Sequence, residues 1–313
     1  MFAADVPPRC YALAVVLATA FLATLVLPTP WGRTSSRDEI GDASNLPSGL
    51  RSDDPSSASL AVVSSAGAAS GMVDVHLGNG CFWERQWAYY VVETDPDGPF
   101  RRAPENVTAL VGYGGGDAPP DAPVCYATGH DGRDHGALGY AETVRVSLDA
   151  GAAEAQLAAL ARDFFASFTG PAGARTRPDP GDAGPAYRSV FGLPGGASSP
   201  LYAVFAEENA FGMDLRVGGA CGAGCGAPGE NVVYVYDTDV SPFRVAEAYH
   251  QFHCDFSHSS GMPYPPSYWR DLYGYMKEAG KVVETGCPET GPGTLPHPGA
   301  LCSAQRLSPP TPM

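Results

Sequence analysis

The stretch VDVHLGNGCFWERQWAYYVV, residues 73–92, decides the fold because it contains a strand, a turn and a helix start in direct succession. Its first five residues alternate apolar and polar side chains, which predicts a half-buried strand. Gly78-Asn79-Gly80 is a turn signal. Apolar side chains then recur at helical spacing at Trp83, Trp87, Tyr90 and Val91. Cys81 therefore lies where a strand ends and a helix begins.

The position of Cys81 suits a reactive thiol. The free N–H groups and the positive end of the helix dipole at a helix start favour a thiolate. A glycine turn at the mouth of a sheet is also a place where ligand sites tend to lie. The pattern indicates a reactive cysteine, and the alternative is a small buried hydrophobic residue.

A second polar residue lies on the apolar face of its own predicted strand. In AETVRVSL, residues 141–148, Glu142 shares the alternation of Val144, Val146 and Leu148. Desolvation on that face favours the neutral carboxyl group and raises its pKa, so Glu142 is a candidate proton donor. The alternative is that Glu142 lies at the strand end and bends out to water.

The remaining elements follow from the same periodicities. We predict strands ending at Leu77, near Leu110, Glu142 and Val190, and over residues 232–236, with helices starting at Phe82 and covering residues 153–168. The second helix has an apolar stripe made of Leu157, Leu160, Ala161, Phe164 and Phe168. The alternation of strands and helices predicts one α/β domain.

Composition excludes a basic nucleic-acid binder. The chain has 19 Lys and Arg against 34 Asp and Glu, a formal net charge of -15, and no basic cluster that would attract a polyanion. With 44% hydrophobic residues it can bury a core, while 38 Gly and 30 Pro predict many loops.

The sequence divides into four segments. Residues 1–34 contain an uncharged apolar run, 11–27, which predicts a signal peptide or signal anchor, hence the secretory pathway or a membrane tether. An organelle sequence, such as a plastid transit peptide, is the alternative. Residues 35–71 form a Ser-, Ala- and Asp-rich linker expected to be disordered. Residues 72–285 are the predicted catalytic domain, and 286–313 a flexible tail that contains cysteines.

Five blocks of sequence, in chain order, resemble the type A methionine sulfoxide reductases. They are GNGCFW (78–83), VGYGGG (111–116), GYAETVRV (139–146), GDAGPAYRS (181–189) and FRVAEAYHQF (243–252). The inserted loops resemble a divergent, long-loop branch of this family. The resemblance implies an α+β, two-layer sandwich with a mixed sheet of ferredoxin-like type. It also implies the thiol-dependent reduction of methionine S-sulfoxide, free or in proteins.

By this resemblance the chain has four catalytic residues: Cys81 as nucleophile, Glu142 as general acid, and Asp182 and Tyr187 as hydrogen-bonding partners of the sulfoxide oxygen. Phe82 and Trp83 become the apolar cradle of the substrate's S-methyl group. Tyr126 is the candidate for one further hydroxyl, because Asp121 occupies the place of a family tyrosine. The reaction itself needs a cysteine and an acidic side chain, since a thiolate attacks the sulfur and an acid protonates the departing oxygen.

The resemblance also implies a recycling step. The first step leaves a sulfenic acid on Cys81, which a second cysteine converts to a disulfide. The resolving cysteine is expected in the tail, at Cys287 or Cys302, and an external dithiol, thioredoxin by resemblance, reduces the disulfide. No metal and no bound cofactor is expected, and the protein is expected to be a monomer. Structural disulfides, Cys287 with Cys302 or Cys221 with Cys225, are the alternative.

Two other functions stay open at this point. One is a non-catalytic relative that binds oxidised methionine, and the other is a hydrolase or acyltransferase using Cys81 with His250 or His76. A zinc site is a further possibility, but a less favoured one. It is suggested by a predicted helix over 246–256, which places His250 and Cys254 on one face. Its other ligands would be His253, Cys221 and Cys225.

Overall fold

The computed structural model of the protein describes residues 71–126, 132–168, 176–177, 179, 181–221, 225–253 and 267–289. The predicted targeting segment 1–34, the linker up to residue 70 and the tail beyond residue 289 lie outside these ranges. In the described ranges, no helix combines the length and the apolar character needed to cross a bilayer.

The described residues form seven strands and four α-helices. The strands are β1 (Met72–Gly78), β2 (Leu110–Gly114), β3 (Ala141–Asp149), β4 (Val190–Leu193), β5 (Asp214–Val217), β6 (Val232–Asp237) and β7 (Arg244–Val245). The helices are α1 (Phe82–Thr94), α2 (Ala153–Ala166), α3 (Leu201–Glu207) and α4 (Ser267–Glu278). Each strand and helix predicted for the described residues is present except the helix over 246–256, whereas β5, β7, α3 and α4 were not predicted.

All seven strands belong to one mixed sheet, in the order β5-β6-β4-β1-β3-β2-β7. The central strand β1 is antiparallel to both β3 and β4, and β2 is antiparallel to β3 and β7. The strand β6 is parallel to β4 and to β5. The predicted α/β (α+β) class with a mixed sheet is therefore confirmed.

Alternate side chains of the sheet face the helices. Val75, Leu77, Val144 and Val146 are buried in one apolar core, where each large side chain contributes about 1.5–3 kcal/mol of stability by burial. The same core contains the predicted apolar stripe: Leu157, Leu160, Ala161 and Phe164 lie on α2, and Phe168 follows its end. The sheet and its helices thus form the two layers of the sandwich.

The opposite sheet face is covered mainly by other side chains and loops. Tyr234 and Tyr236 of β6 are buried there beside the segment that contains Cys221 and Cys225. The hydroxyl of Tyr236 lies 2.8 Å from Nδ1 of His76, whose side chain also belongs to this face. The alternation of β1 therefore separates His76 from the core under the helices.

The helix predicted over residues 246–256 is wrong in its described part, up to residue 253. After β7, the chain makes only a 3-10 turn, Ala248–His250. The side chain of Gln251 bonds to the backbone N–H and carbonyl of Val111, at 3.1 and 3.0 Å, and thereby continues the pairing with β2. Phe252 has a φ of 53°, which ends any helical path. Tertiary hydrogen bonds thus override the helical periodicity.

We expect Gly78→Ala to destabilise the protein strongly. An added Cβ at this position would overlap the backbone oxygen of Glu142 on the neighbouring strand β3, so the sheet would have to open. The expected loss in the free energy of unfolding, measured by urea denaturation, is about 3 kcal/mol or more.

Gly274→Ala is the matched control for this substitution. A Cβ at Gly274 in α4 has no neighbour within 4 Å. The substitution should stabilise the helix by about 0.5–1 kcal/mol, because alanine loses less backbone entropy than glycine. Equal effects of the two substitutions would contradict the described contact between β1 and β3.

Candidate active site

Two carboxyl groups hold the start of α1. Cys81 is the N-cap residue and is only 2% exposed. Its backbone N–H donates to Oδ2 of Asp182 at 2.6 Å, and the N–H of Phe82 donates to Oε2 of Glu142 at 2.8 Å. The first N–H groups of a helix need acceptors from outside it, and two distant acidic side chains provide them here.

The glycine turn allows the Asp182 carboxyl group to come this close. Gly80 has a φ of 101°, and a Cβ there would lie 2.5 Å from Oδ2 of Asp182. Its N–H donates to the backbone oxygen of Tyr187 at 3.2 Å. The turn therefore brings the segment with Asp182 and Tyr187 next to Cys81.

Glu142 is fully buried on the helix-covered face of β3. Burial raises its pKa well above the ordinary value, and the N–H of Phe82 opposes this shift only in part, while nearby Asp182 adds to it. Because Oε2 accepts the Phe82 N–H, the proton of the neutral acid resides on Oε1. Oε1 is buried and has no hydrogen-bond partner among the described residues. A buried polar atom in this state costs about 1–3 kcal/mol, a cost typical of functional sites.

Asp182 is the second buried acid. Burial raises its pKa to about 7, and the Cys81 N–H opposes this shift while the charge of Asp179 adds to it. The backbone oxygen of Asp182 accepts from Nη1 of Arg177 at 2.6 Å, which fixes the loop. Close to neutral pH, Asp182 thus exchanges a proton beside the backbone of Cys81.

An aromatic cluster lies next to these acids. It consists of Phe82, Trp83, Tyr113, Tyr126, His135 and His250. The Phe82 ring centroid lies 6.1 Å from that of Tyr126 and 5.3 Å from that of His250. The structure therefore brings the three predicted substrate-binding residues, Phe82, Trp83 and Tyr126, into one cluster. Asp121, by contrast, is exposed.

A buried network behind the cluster was missed by the sequence analysis. The carboxylate of Glu247 accepts from the hydroxyl of Tyr113 at 2.6 Å and from the N–H of Tyr126 at 2.8 Å. Burial raises the pKa of Glu247. His135 Nδ1 lies 2.9 Å from the backbone oxygen of Tyr126. Tyr113 and Glu247 each lie within one of the five sequence blocks that resemble the reductase family, and this was the only sequence feature that pointed to them. No sequence feature pointed to His135.

The two histidines considered as hydrolase bases are engaged elsewhere. His76 lies on the opposite sheet face, and burial lowers its pKa to about 3. His250 accepts at Nδ1 from the indole N–H of Trp83 at 3.2 Å, so its lone pair is in use. Burial also lowers the pKa of His250 well below its ordinary value. Neither of these two histidines is therefore placed to act as the base of a Cys-His hydrolase.

Two disulfides join described cysteines, Cys125 to Cys287 and Cys221 to Cys225. The second pair was an alternative in the sequence analysis, while Cys125 was not expected to bond to Cys287. Cys81 is buried and belongs to neither disulfide. Of the residues considered for zinc, Cys221 and Cys225 are thus bonded to each other. Cys254 and the second candidate resolving cysteine, Cys302, lie outside the described residues.

Comparisons with known proteins give structural matches only. No family model and no curated protein matches the chain. It is similar to methionine sulfoxide reductase A of Corynebacterium diphtheriae, with 17% identity, a TM-score of 0.37, and coverage of 64% of this chain and 80% of that one. It is also similar to Mxr1 from Saccharomyces cerevisiae in reduced form, with 19% identity, a TM-score of 0.32, and coverage of 63% and 90%. These TM-scores are too low to support a functional conclusion by themselves.

The raised pKa of Asp182 predicts a pH-dependent stability. Unfolded aspartate titrates near 3.9, so the folded protein keeps this proton to higher pH than the unfolded chain does. The contribution of the neutral Asp182 side chain to the free energy of unfolding is therefore fully present below about pH 4, and it is lost as the pH rises through 7. Asp182→Asn removes this titration but retains an acceptor for the Cys81 N–H.

Urea unfolding of both proteins between pH 4 and pH 8 measures the effect. From pH 4 to pH 8 the wild type should lose free energy of unfolding that Asp182→Asn does not lose. The difference between the variant and the wild type should therefore shift in favour of the variant by on the order of 4 kcal/mol. The exposed Asp214→Asn is the control and should change by less than about 1 kcal/mol. A constant difference between wild type and Asp182→Asn would show that Asp182 titrates normally.

Proposed function

We propose that the protein is a peptide-methionine (S)-S-oxide reductase, an oxidoreductase that repairs oxidised methionine, free or in proteins. One observation carries the proposal: the buried Glu142 accepts the Phe82 N–H with one oxygen, and its other oxygen has no partner among the described residues, next to the N-cap cysteine. Burial raises the pKa of Glu142 and so favours the neutral acid. A sulfoxide oxygen is an acceptor that fits such an acid. Neither hydrolysis nor acyl transfer requires a neutral acid at this position.

In the proposed first step, the Cys81 thiolate attacks the sulfur of the sulfoxide. The helix start favours the anionic sulfur, and neutral Glu142 adds no negative charge beside it. The attack forms a bond between the two sulfurs, and Glu142 protonates the oxygen of this adduct and becomes a carboxylate. The hydroxyl group then moves to the Cys81 sulfur while the sulfur–sulfur bond and the substrate's sulfur–oxygen bond break, which gives methionine and a sulfenic acid on Cys81. The substrate is reduced to methionine while Cys81 is oxidised by two electrons.

The surrounding residues have positioning roles in this proposal. Asp182 and Tyr187 are the further hydrogen-bonding partners of the sulfoxide oxygen. The rings of Phe82 and Trp83, with centroids 6.4 Å apart, are the apolar wall that receives the S-methyl group. Tyr126 is held by Glu247 through its N–H and closes the same cluster.

Recycling requires a second thiol and an external reductant. A thiol condenses with the sulfenic acid of Cys81, which releases water and leaves a disulfide, and a dithiol such as thioredoxin then reduces it. Cys287 is one candidate, but its sulfur is bonded to Cys125, so that bond must first be reduced or exchanged. Cys302 is the other. We propose that the reaction needs no bound cofactor, and that a monomer tethered or exported through residues 11–27 carries it out.

Cys81→Ser should abolish the first step, because a hydroxyl group does not supply an anionic nucleophile near neutral pH. The measurement is the release of methionine when pre-reduced enzyme is mixed with a smaller amount of resolved methionine S-sulfoxide. The double variant Cys221→Ser/Cys225→Ser is the control and should retain the single turnover.

Three outcomes of this experiment would contradict the proposal. Full activity of Cys81→Ser would exclude Cys81 as the nucleophile. Reduction of the R epimer alone would exclude the proposed stereochemistry. Binding of the sulfoxide by the wild type without release of methionine would identify a non-catalytic binding protein.

Glu142→Gln should slow the chemical step while leaving substrate binding nearly unchanged. Glutamine keeps the shape and its oxygen can accept the Phe82 N–H, but it has no acidic proton to transfer. The single-turnover rate should fall by a factor of about 100 to 10,000. The wild-type single-turnover rate should also stay high at pH values well above the ordinary pKa of a carboxyl group, because burial raises the pKa of Glu142.

Rates against pH for wild type, Glu142→Gln and the exposed control Glu154→Gln give the direct test. Single-turnover rates are needed, since reduction of the disulfide can limit steady-state turnover. An unchanged rate and pH profile in Glu142→Gln would assign the acid to Asp182 or Tyr187 instead.

A further inference from the structure

Three potential metal ligands converge behind the aromatic cluster. The sulfurs of Cys125 and Cys287 and a carboxylate oxygen of Glu247 all lie within 4.8 Å of one another. In the ranges that the structure describes, no other group of three His, Cys, Asp or Glu side chains converges in this way. Cys125 and Glu247 are buried, while Cys287 is half-buried and accessible from outside.

The redox state of the two cysteines decides whether they can bind a metal. In the disulfide the sulfurs are bonded to each other, and thiolates are the sulfur ligands that bind metal ions. An external phosphine or dithiol supplies two electrons, the sulfur–sulfur bond breaks, and two protons complete the two thiols. Metal binding then displaces these protons. The disulfide and the metal complex are therefore alternative states of the same pair.

Glu247 is already oriented for a ligand role. The Tyr113 hydroxyl and the Tyr126 N–H donate to different oxygens of the carboxylate, at 2.6 and 2.8 Å, and its own backbone N–H is a third donor. A carboxylate has about four lone-pair positions, so one remains for a metal ion. Carboxylates that bind metals are commonly held by such hydrogen bonds from a second layer of residues. The carboxylate can thus bind a metal without losing its present partners.

The donor set selects the metal. Two thiolates and one carboxylate suit zinc, whereas magnesium and calcium prefer oxygen ligands only. Zinc–sulfur bonds of about 2.3 Å at tetrahedral angles place two sulfurs roughly 3.7 Å apart, so reduction must let the sulfurs separate. Cys287 can move outwards because it lies at the half-buried edge. Arg133, whose Nη1 donates to the oxygen of Gly286 at 3.3 Å, offsets part of the negative charge.

We infer that reduced Cys125 and Cys287, together with Glu247, bind one zinc ion, and that oxidation to the Cys125–Cys287 disulfide releases it. Three protein ligands leave the fourth position of the zinc ion to water or another small ligand. The site does not depend on the proposed reductase activity, because none of its ligands takes part in the attack on the sulfoxide. Binding of zinc would hold Cys287 away from Cys81.

The test uses full-length protein in a Cys221→Ser/Cys225→Ser background, which removes the other described cysteine pair. The protein is reduced with a phosphine, which is then removed without oxygen, and titrated with Zn²⁺ and, separately, with Co²⁺. We expect one equivalent of zinc per reduced chain and less than a tenth of this in the oxidised chain. Bound Co²⁺ should show thiolate charge-transfer and tetrahedral ligand-field bands.

Single substitutions identify the ligands. Cys287→Ser, at the half-buried edge, should fold normally and lose stoichiometric zinc binding. Glu247→Gln should weaken zinc binding by at least about 10-fold. The exposed Glu284→Gln, in the same segment as Cys287, is the matched control and should leave the affinity unchanged. Zinc should also protect Cys125 and Cys287, but not Cys81, from alkylation.

The inference is overturned if the reduced chain binds no zinc, or if Cys287→Ser binds it as tightly as its parent. Protection of Cys81 instead of Cys125 and Cys287 would also overturn it. Because Glu247→Gln removes a buried network, its thermal unfolding without metal is compared with that of Glu284→Gln. If Glu247→Gln is unfolded, Cys287→Ser and the alkylation pattern decide the question.

Discussion

The site depends on the two carboxyl groups that accept the first N–H groups of α1. Asp182 binds the N–H of Cys81, and Glu142 binds that of Phe82. These bonds join the turn after β1 to β3 and to the loop that precedes β4. They also place two acids where a helix start already favours negative charge on a cysteine. The two hydrogen bonds therefore position Cys81, the two acids and the first aromatic side chain of α1 together.

Burial gives these acids their chemical character. A carboxylate exposed to water at a helix start would remain ionised and would only stabilise the helix. Glu142 and Asp182 are instead almost inaccessible to solvent, so both pKa values rise. The neutral forms of both acids are therefore favoured beside Cys81, and keeping these acids buried costs the protein some stability at neutral pH. Buried acids with raised pKa values are common at functional sites.

The Cys125–Cys287 disulfide connects the site to the segment that follows α4. It adjoins Glu247, which orients Tyr113 and Tyr126 of the aromatic cluster. The carboxylate of Glu289 in the same segment accepts from the N–H of Tyr249 at 3.2 Å. The redox state of one cysteine pair can therefore influence how firmly this segment is held against the wall of the site.

The sequence by itself determined the elements whose apolar spacing is local. Strand, turn and helix over residues 73–92 and the stripe of α2 follow from periods of two and 3.6 residues, whereas periodicity left open whether Glu142 faces inward or bends out to water. The helix α4 carried a comparable signal in Tyr268, Leu272 and Met276, four residues apart, which the sequence analysis did not use. The resemblance of the sequence blocks grouped Cys81 with Glu142 and Asp182, but only the tertiary structure decided which of their atoms meet and that Cys125 pairs with Cys287. Asp182 lies 101 residues from Cys81, and Cys287 lies 162 residues from Cys125. Local periodicity holds no information on such pairings, because they arise when strand pairing brings together chain segments that long intervening stretches separate.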